Sequence, residues 1–220
     1  MQFKVALFDL DGTVFDTEPQ YTSFWGRVGR EYHPEMTDFA QRIKGTTLKQ
    51  ILDSYFPDTD IQQTIVTQLD EWESQMKYPF VAGVEDFIRD LKKHGVKTAV
   101  VTSSNQKKMR NVQSNVPQFS SLFDKVLTAE MFAASKPDPD CYLRGADAFR
   151  ADKSECVVFE DAFTGLQAGM RSGMLTLGVA TTNTVESIRP CCHHAYEDFT
   201  GLNFKVVSDL LVRYWDGKSE

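Results

Sequence analysis

The chain has 220 residues, 41% of them hydrophobic, with 16 phenylalanines and a formal net charge of -7. That is enough for a sizeable core, built as one domain or as one domain carrying an insert. Basic runs are absent, which argues against a nucleic-acid or anionic-membrane partner. No apolar stretch approaches the roughly 20 residues of a membrane span, and no basic flank precedes a long apolar segment at the start, so neither anchor nor signal peptide is expected.

The first element is the apolar run Val5–Phe8, read as a buried strand. It ends in Asp9, Leu10, Asp11 and Gly12, so two carboxylates stand at the strand tip where the chain turns away. From Phe15 to about Pro79 no strand is evident. Apolar residues recur at helical spacing over Gln20–Glu31, Thr37–Lys44, Leu48–Tyr55 and Ile61–Lys77, which predicts an all-helical insert spanning 16–79. Its connections, Val14–Glu18 and Tyr78–Gly83, are expected to act as hinges, and the insert as a lid over the acidic tip.

Beyond the insert, strands at Val96–Val101, Val126–Leu127, Cys156–Phe159 and Leu175–Val179 alternate with helices at Val84–Lys93, Gln106–Gln113, Asp140–Phe149 and Gly165–Arg171. This predicts an α/β core over 1–15 and 80–220, a Rossmann-like parallel sheet with helices on both faces. Asp216–Glu220 reads as a frayed tail. The four cysteines, Cys141, Cys156, Cys191 and Cys192, lack the spacing of a disulfide framework, so a reducing cytoplasm is expected. Cys191, Cys192, His193 and His194 are too close in sequence for a structural zinc set and read as a loop after Pro190.

Four groups of chemistry-bearing residues fall at one edge of the predicted sheet. Asp9 and Asp11 follow the first strand; Thr102, Ser103 and Ser104 follow the second. Lys136 lies between the third strand and a helix, and Glu160 and Asp161 follow the fourth strand. Each has an ordinary alternative: a turn former, a helix cap, a solvated lysine. Together they fit one site. Converging carboxylates repel unless a cation sits among them, and Mg²⁺ prefers carboxylates, water and phosphate oxygens. Thr102 with the Ser103 and Ser104 amides opens a helix N-terminus, an anion site. An aspartate held beside Mg²⁺ and a lysine is a competent nucleophile toward phosphorus.

Asp9-Leu10-Asp11-Gly12-Thr13, Thr102 after an apolar strand, Lys136 before Pro-Asp-Pro, and Glu160-Asp161 with Gly165 and Ala168-Gly169 occur in that order. The set resembles the four motifs of the haloacid dehalogenase superfamily. The helical insert resembles the small cap of its branch of phosphatases and β-phosphoglucomutases. The resemblance implies that Asp9 is the nucleophile, forming an aspartyl-phosphate. It implies that Asp11 protonates the leaving oxygen and then activates water, and that Thr102 and Lys136 hold the phosphoryl group. Mg²⁺ would be bound by Asp9, the Asp11 carbonyl and Asp161, with Glu160 direct or through water.

β-Phosphoglucomutases carry a cap histidine that aligns with Tyr21 and a cap arginine that aligns with Leu48. The expected function is therefore a Mg²⁺-dependent phosphatase, a monomer acting on a small phosphate ester such as a sugar phosphate. A mutase and a phospho-acceptor signalling module are the alternatives. Lys44, Gly45 and Thr46 are candidate substrate contacts from the cap, with a helix-ending turn as their alternative reading.

Overall fold

A computed structural model describes residues 2–44 and 46–217. Strand β1 (Val5–Phe8) leads into four helices: α1 (Glu18–Tyr32), α2 (Phe39–Arg42), α3 (Leu48–Tyr55) and α4 (Thr59–Gln75). There follow α5 (Val84–Lys93), β2 (Lys97–Val101), α6 (Gln106–Asn115), α7 (Phe119–Leu122) and β3 (Lys125–Leu127). After these come α8 (Asp140–Asp147), β4 (Cys156–Glu160), α9 (Phe163–Ser172), β5 (Leu175–Val179), α10 (Val185–Ile188), β6 (His194–Tyr196) and α11 (Phe204–Asp216).

The strands form one parallel sheet in the order β3-β2-β1-β4-β5-β6. Each central strand is a continuous apolar run because both of its faces are covered. Ala6 and Phe8 of β1 face a core shared with Phe87, Ile88 and Leu91 of α5 and Val207 and Leu211 of α11. Val5 and Leu7, one residue out of phase, face Cys141, Tyr142 and Ala146 of α8 and Ala168 of α9. Successive strands run outward from β1 in one direction as far as β3, and β4 then starts on the other side of β1. The gap between β1 and β4 is thus a topological switch point, where open α/β sheets place their ligands.

Helices α1 to α4 enclose a core of their own, built from Phe24, Trp25, Val28, Phe39, Ile51, Leu52, Ile65 and Leu69. Their starts are well specified. Thr47 and Gln50 form a reciprocal capping box at α3, and Asp58 accepts from the Asp60 and Ile61 amides at α4. The chain enters and leaves this segment side by side: Asp16 N donates to Pro79 O at 2.9 Å and Val81 N to Val14 O at 3.0 Å.

Two parts of the sheet region depart from expectation. The stretch after Pro190 is not a plain loop: a 3-10 turn over Arg189–Cys191 is followed by β6. This edge strand is three residues long and partly exposed, so it carries no apolar run by which to recognise it. Helix α11 lies beyond the last expected element, although its buried Val207 and Leu211 are one turn apart. Asp216 ends α11, and residues 218–220 of the expected frayed tail lie outside the described residues. No helix among the described residues is long and apolar enough to cross a membrane.

Candidate active site

The tips of β1 and β4 carry the floor of the site. Asp9 follows β1 directly, and its amide donates to Phe159 O across the switch point at 3.0 Å. Glu160 is the last residue of β4 rather than the first beyond it. Lys136 reaches between them from the loop before α8. Its Nζ is 2.5 Å from Asp9 Oδ1, 2.6 Å from Glu160 Oε1 and 3.3 Å from Val101 O. The side chain is 4% exposed and the ammonium also stands over the Tyr142 ring. Burial works against its charge, but Asp9 and Glu160 outweigh that and hold it protonated beyond the ordinary lysine range.

Glu160 accepts four hydrogen bonds. Oε1 takes Lys136 and, at 2.8 Å, the Tyr142 hydroxyl; Oε2 takes the Asp161 and Ala162 amides at 2.9 and 3.1 Å. Its role here is to hold Lys136. Gly165 makes room for it, since a Cβ there would stand 1.7 Å from Glu160 Oε1. Asp161 accepts from Thr13 at 2.9 Å and from the Thr182 hydroxyl, and Asn183 donates to its carbonyl at 3.1 Å. Gly12, at φ +80°, leaves the gap into which Asp161 projects; a Cβ would meet its Oδ2 at 2.1 Å.

Asp9, Glu160 and Asp161 are all buried, and each offers an oxygen within 4.8 Å of the others'. One ammonium, Lys136, faces these three carboxylates, so the cluster carries excess buried negative charge. Burial pushes the Asp9 carboxyl up to about 7, against the pull of Lys136. Asp161 is pushed well above the usual carboxylate range by burial and by the Glu160 and Asp9 charges. An oxygen-rich, over-negative, buried cluster is the donor set that suits a hard divalent cation.

Asp11 points away from that cluster. Its Oδ1 accepts from the Thr17 hydroxyl at 2.6 Å, and its Oδ2 from Ser104 Oγ at 3.1 Å and from the Lys108 ammonium. Thr102 is 1% exposed, and its Oγ1 accepts from the Ser104 amide at 3.0 Å. The Ser104 amide is therefore spent within its own turn and is not an open anion donor, whereas the Thr102 hydroxyl proton remains available. Ser103 lines the same cavity, which has a volume of about 790 Å³ and extends from the floor to helices α1, α3 and α4.

On the opposite wall Lys44 pairs with Glu18 at 3.3 Å, and Thr46 Oγ1 donates to Ile43 O at 2.5 Å. Both line the cavity, and the Thr46 amide donates to Ile43 O at 3.1 Å in the turn after α2. Gly45 lies outside the described residues. Sequence reasoning placed Thr13 in the first motif without giving it a role and did not single out Thr17, Glu18, Glu73, Lys108, Tyr142, Thr182 or Asn183. Tyr142 and Lys108 sit inside recognisable helical patterns, and nothing local distinguishes them from packing or solvated residues. Thr182 follows β5, at the sheet edge that also carries Asp9, Thr102 and Asp161, and that position was an available signal.

The family model for haloacid dehalogenase-like hydrolases matches residues 6–179. The chain belongs to this family. Hexitol phosphatase A of Escherichia coli is 30% identical, over 81% of this chain and 84% of that protein. Validoxylamine A 7'-phosphate phosphatase of Streptomyces hygroscopicus subsp. limoneus is 27% identical, over 84% and 90%. Among solved structures, a family IA hydrolase from Entamoeba histolytica aligns with a TM-score of 0.81 at 22% identity, covering 94% of this chain and 99% of that one. A β-phosphoglucomutase from Clostridium difficile aligns with a TM-score of 0.79 at 19% identity, covering 97% and 99%. This haloacid dehalogenase-like chain is an enzyme of phosphate-ester chemistry, a phosphoric monoester hydrolase or its close mutase relative.

Proposed function

We propose that this protein is a Mg²⁺-dependent phosphatase of a small phosphorylated sugar or polyol, working as a monomer in a reducing cytoplasm through an aspartyl-phosphate on Asp9. The relatives named for phosphatase activity support the hydrolytic reading. The observation that carries it over the mutase is the state of the cations. Four lysines line the cavity, and each is ion-paired: Lys136 with Asp9 and Glu160, Lys108 with Asp11, Lys44 with Glu18, and Lys49 with Asp53. Neither arginine nor histidine lines it among the described residues. A mutase must hold a second phosphate while the first is transferred; on the insert side of the cavity the cations among the described residues are Lys44, partly buried and paired with Glu18, and Lys49, which is 83% exposed beside Asp53 and anchors nothing in the interior. Tyr21 and Leu48 stand where the mutase resemblance calls for histidine and arginine, and the Tyr21 hydroxyl is directed to Glu73.

In this reading residues 16–79 are the cap and the paired connections its hinges. Asp9 Oδ attacks phosphorus, with Lys136 holding both the carboxylate and a phosphoryl oxygen. The Thr102 hydroxyl donates to a second oxygen, and the Ser103 side of the loop faces the same group. In this structure Asp11 is an ion-paired carboxylate, so it first takes up a proton from solvent and then gives it to the departing ester oxygen. It then takes one from the water whose oxygen bonds phosphorus as the Asp9–phosphorus bond breaks. Asp9, Asp161 and the Asp11 carbonyl would hold Mg²⁺, with Glu160, whose oxygens accept from Lys136, Tyr142 and two amides, beside them. When bound, the ion neutralises charge on the transferring group. Lys44 and Thr46 would meet the alcohol portion.

The test is a panel of phosphate esters, assayed for released phosphate and for isomer formation. Phosphate release from sugar or polyol monophosphates, abolished by EDTA and restored by Mg²⁺, is expected. Conversion of β-glucose 1-phosphate to its 6-phosphate faster than phosphate release would overturn the assignment, and so would turnover indifferent to EDTA.

A further inference from the structure

A lysine stands where helix electrostatics disfavour one. Lys108 lies in the first turn of α6, and the Asn105 side chain caps that helix by accepting from the Lys108 amide at 2.8 Å. A helix N-terminus carries partial positive charge and favours carboxylates over ammonium groups. Lys108 is nonetheless only 3% exposed. Helical side chains lean toward the N-terminus, so this one lies back over the sheet edge. Its ammonium bonds Asp11 Oδ2 and stands 4.5 Å from the centre of the Tyr21 ring on α1. The Tyr21 hydroxyl donates to Glu73 Oε1 on α4 at 2.8 Å, and Glu73 is 6% exposed. The preceding residue, Lys107, pairs with Asp70, one turn before Glu73 on α4. One buried cation thus touches the Asp11 carboxylate on one side and the helical insert on the other.

We propose that Lys108 is a positioning residue for Asp11. It fixes that carboxylate, together with Thr17 and Ser104, toward the leaving oxygen, and it ties this placement to the seating of α1 and α4 through Tyr21 and Glu73. The proposal rests on the phosphatase reading, in which Asp11 moves the protons. Lys108 acts through Asp11 and makes no bond to substrate. Its loss therefore falls on turnover, and most heavily on the steps in which Asp11 gives or takes a proton.

The test compares Lys108→Met with wild type on an alkyl phosphate and on 4-nitrophenyl phosphate. Nitrophenolate leaves without a proton, so Asp11 is dispensable for the first step with that ester but still needed to activate water. For the alkyl ester, kcat is expected to fall about 10- to 100-fold with KM within about threefold. For 4-nitrophenyl phosphate, a burst of one nitrophenolate per enzyme followed by slow turnover is expected. In an Asp11→Asn background, adding Lys108→Met changes kcat by less than about twofold, because the two act as a unit. This double variant leaves no unpaired charge between the two positions and gives a reading even if the single variant folds poorly.

Wild-type kcat in Lys108→Met, equal losses on both esters without a burst, or multiplying losses in the double variant would each overturn the proposal. A wild-type protein that releases phosphate from no ester removes the phosphatase reading and this proposal with it. An active enzyme indifferent to Lys108 removes this proposal alone.

Discussion

At Asp161 the demands of folding and of chemistry conflict. Its carboxylate is buried beside Asp9 and Glu160, and its proton affinity is raised by burial and by those neighbours. A carboxyl whose affinity rises on folding costs stability once the pH is above its unfolded value, near 3.9. Asp161→Asn keeps the shape and removes that cost. The metal-free variant is expected to be more stable than wild type by about 1–2 kcal/mol near neutral pH, while the increase in melting temperature that Mg²⁺ gives wild type disappears. Thermal unfolding of both proteins with EDTA and with Mg²⁺ measures this; a destabilised metal-free variant would contradict it. Asp9, Lys136, Glu160 and Asp161 were legible in the sequence because each follows or ends a segment that reads as strand, or lies in the loop beyond one. Lys108 was not, because what makes it special is its partner on another element, Asp11; Thr182 had only its place beyond β5 to point to it, and its partner Asp161 lies on another loop.

Among the elements, α4 shows how a site partner is hidden inside a helical pattern. Glu73 shares α4 with the buried Ile65 and Leu69, and by spacing it reads as a packing position occupied by a charge. Burial raises its proton affinity, partly offset by the Lys108 ammonium and by the Tyr21 hydroxyl. The folded state therefore holds this proton more tightly than the unfolded chain. The cost of ionised Glu73 is absent below about pH 4.3 and grows as the pH rises through its folded value. Glu73→Gln removes the titration, so its stability relative to wild type is expected to improve with rising pH above that point. Urea unfolding at a series of pH values checks it, and a difference that shrinks as pH rises would contradict it. The long elements were readable from the sequence since their apolar spacing spans several turns. The edge strand β6 was not, since three partly exposed residues carry too little pattern.

For the molecule as a whole, the position of the site follows from the order of the strands. β1 and β4 are neighbours in space but are separated in sequence by the long stretch between Phe8 and Cys156, and their tips meet at the switch point. Alternation of strand and helix in the sequence was sufficient to predict a parallel sheet with its chemistry at one edge. It could not say that Asp11 turns toward α6 and the insert while Asp9 turns toward Lys136, because side-chain direction is settled by packing between elements. All of the proposed chemistry converges on Asp9 as the atom that takes the phosphoryl group. The most direct measurement is acid quenching of the enzyme during steady-state turnover, followed by mass spectrometry of the N-terminal peptide. A phosphoryl group on Asp9, absent from Asp9→Asn along with about 10⁴-fold or more of kcat, is expected. Phosphate release by Asp9→Asn at near wild-type rate, or a phosphoryl group trapped on any other residue, would contradict the account.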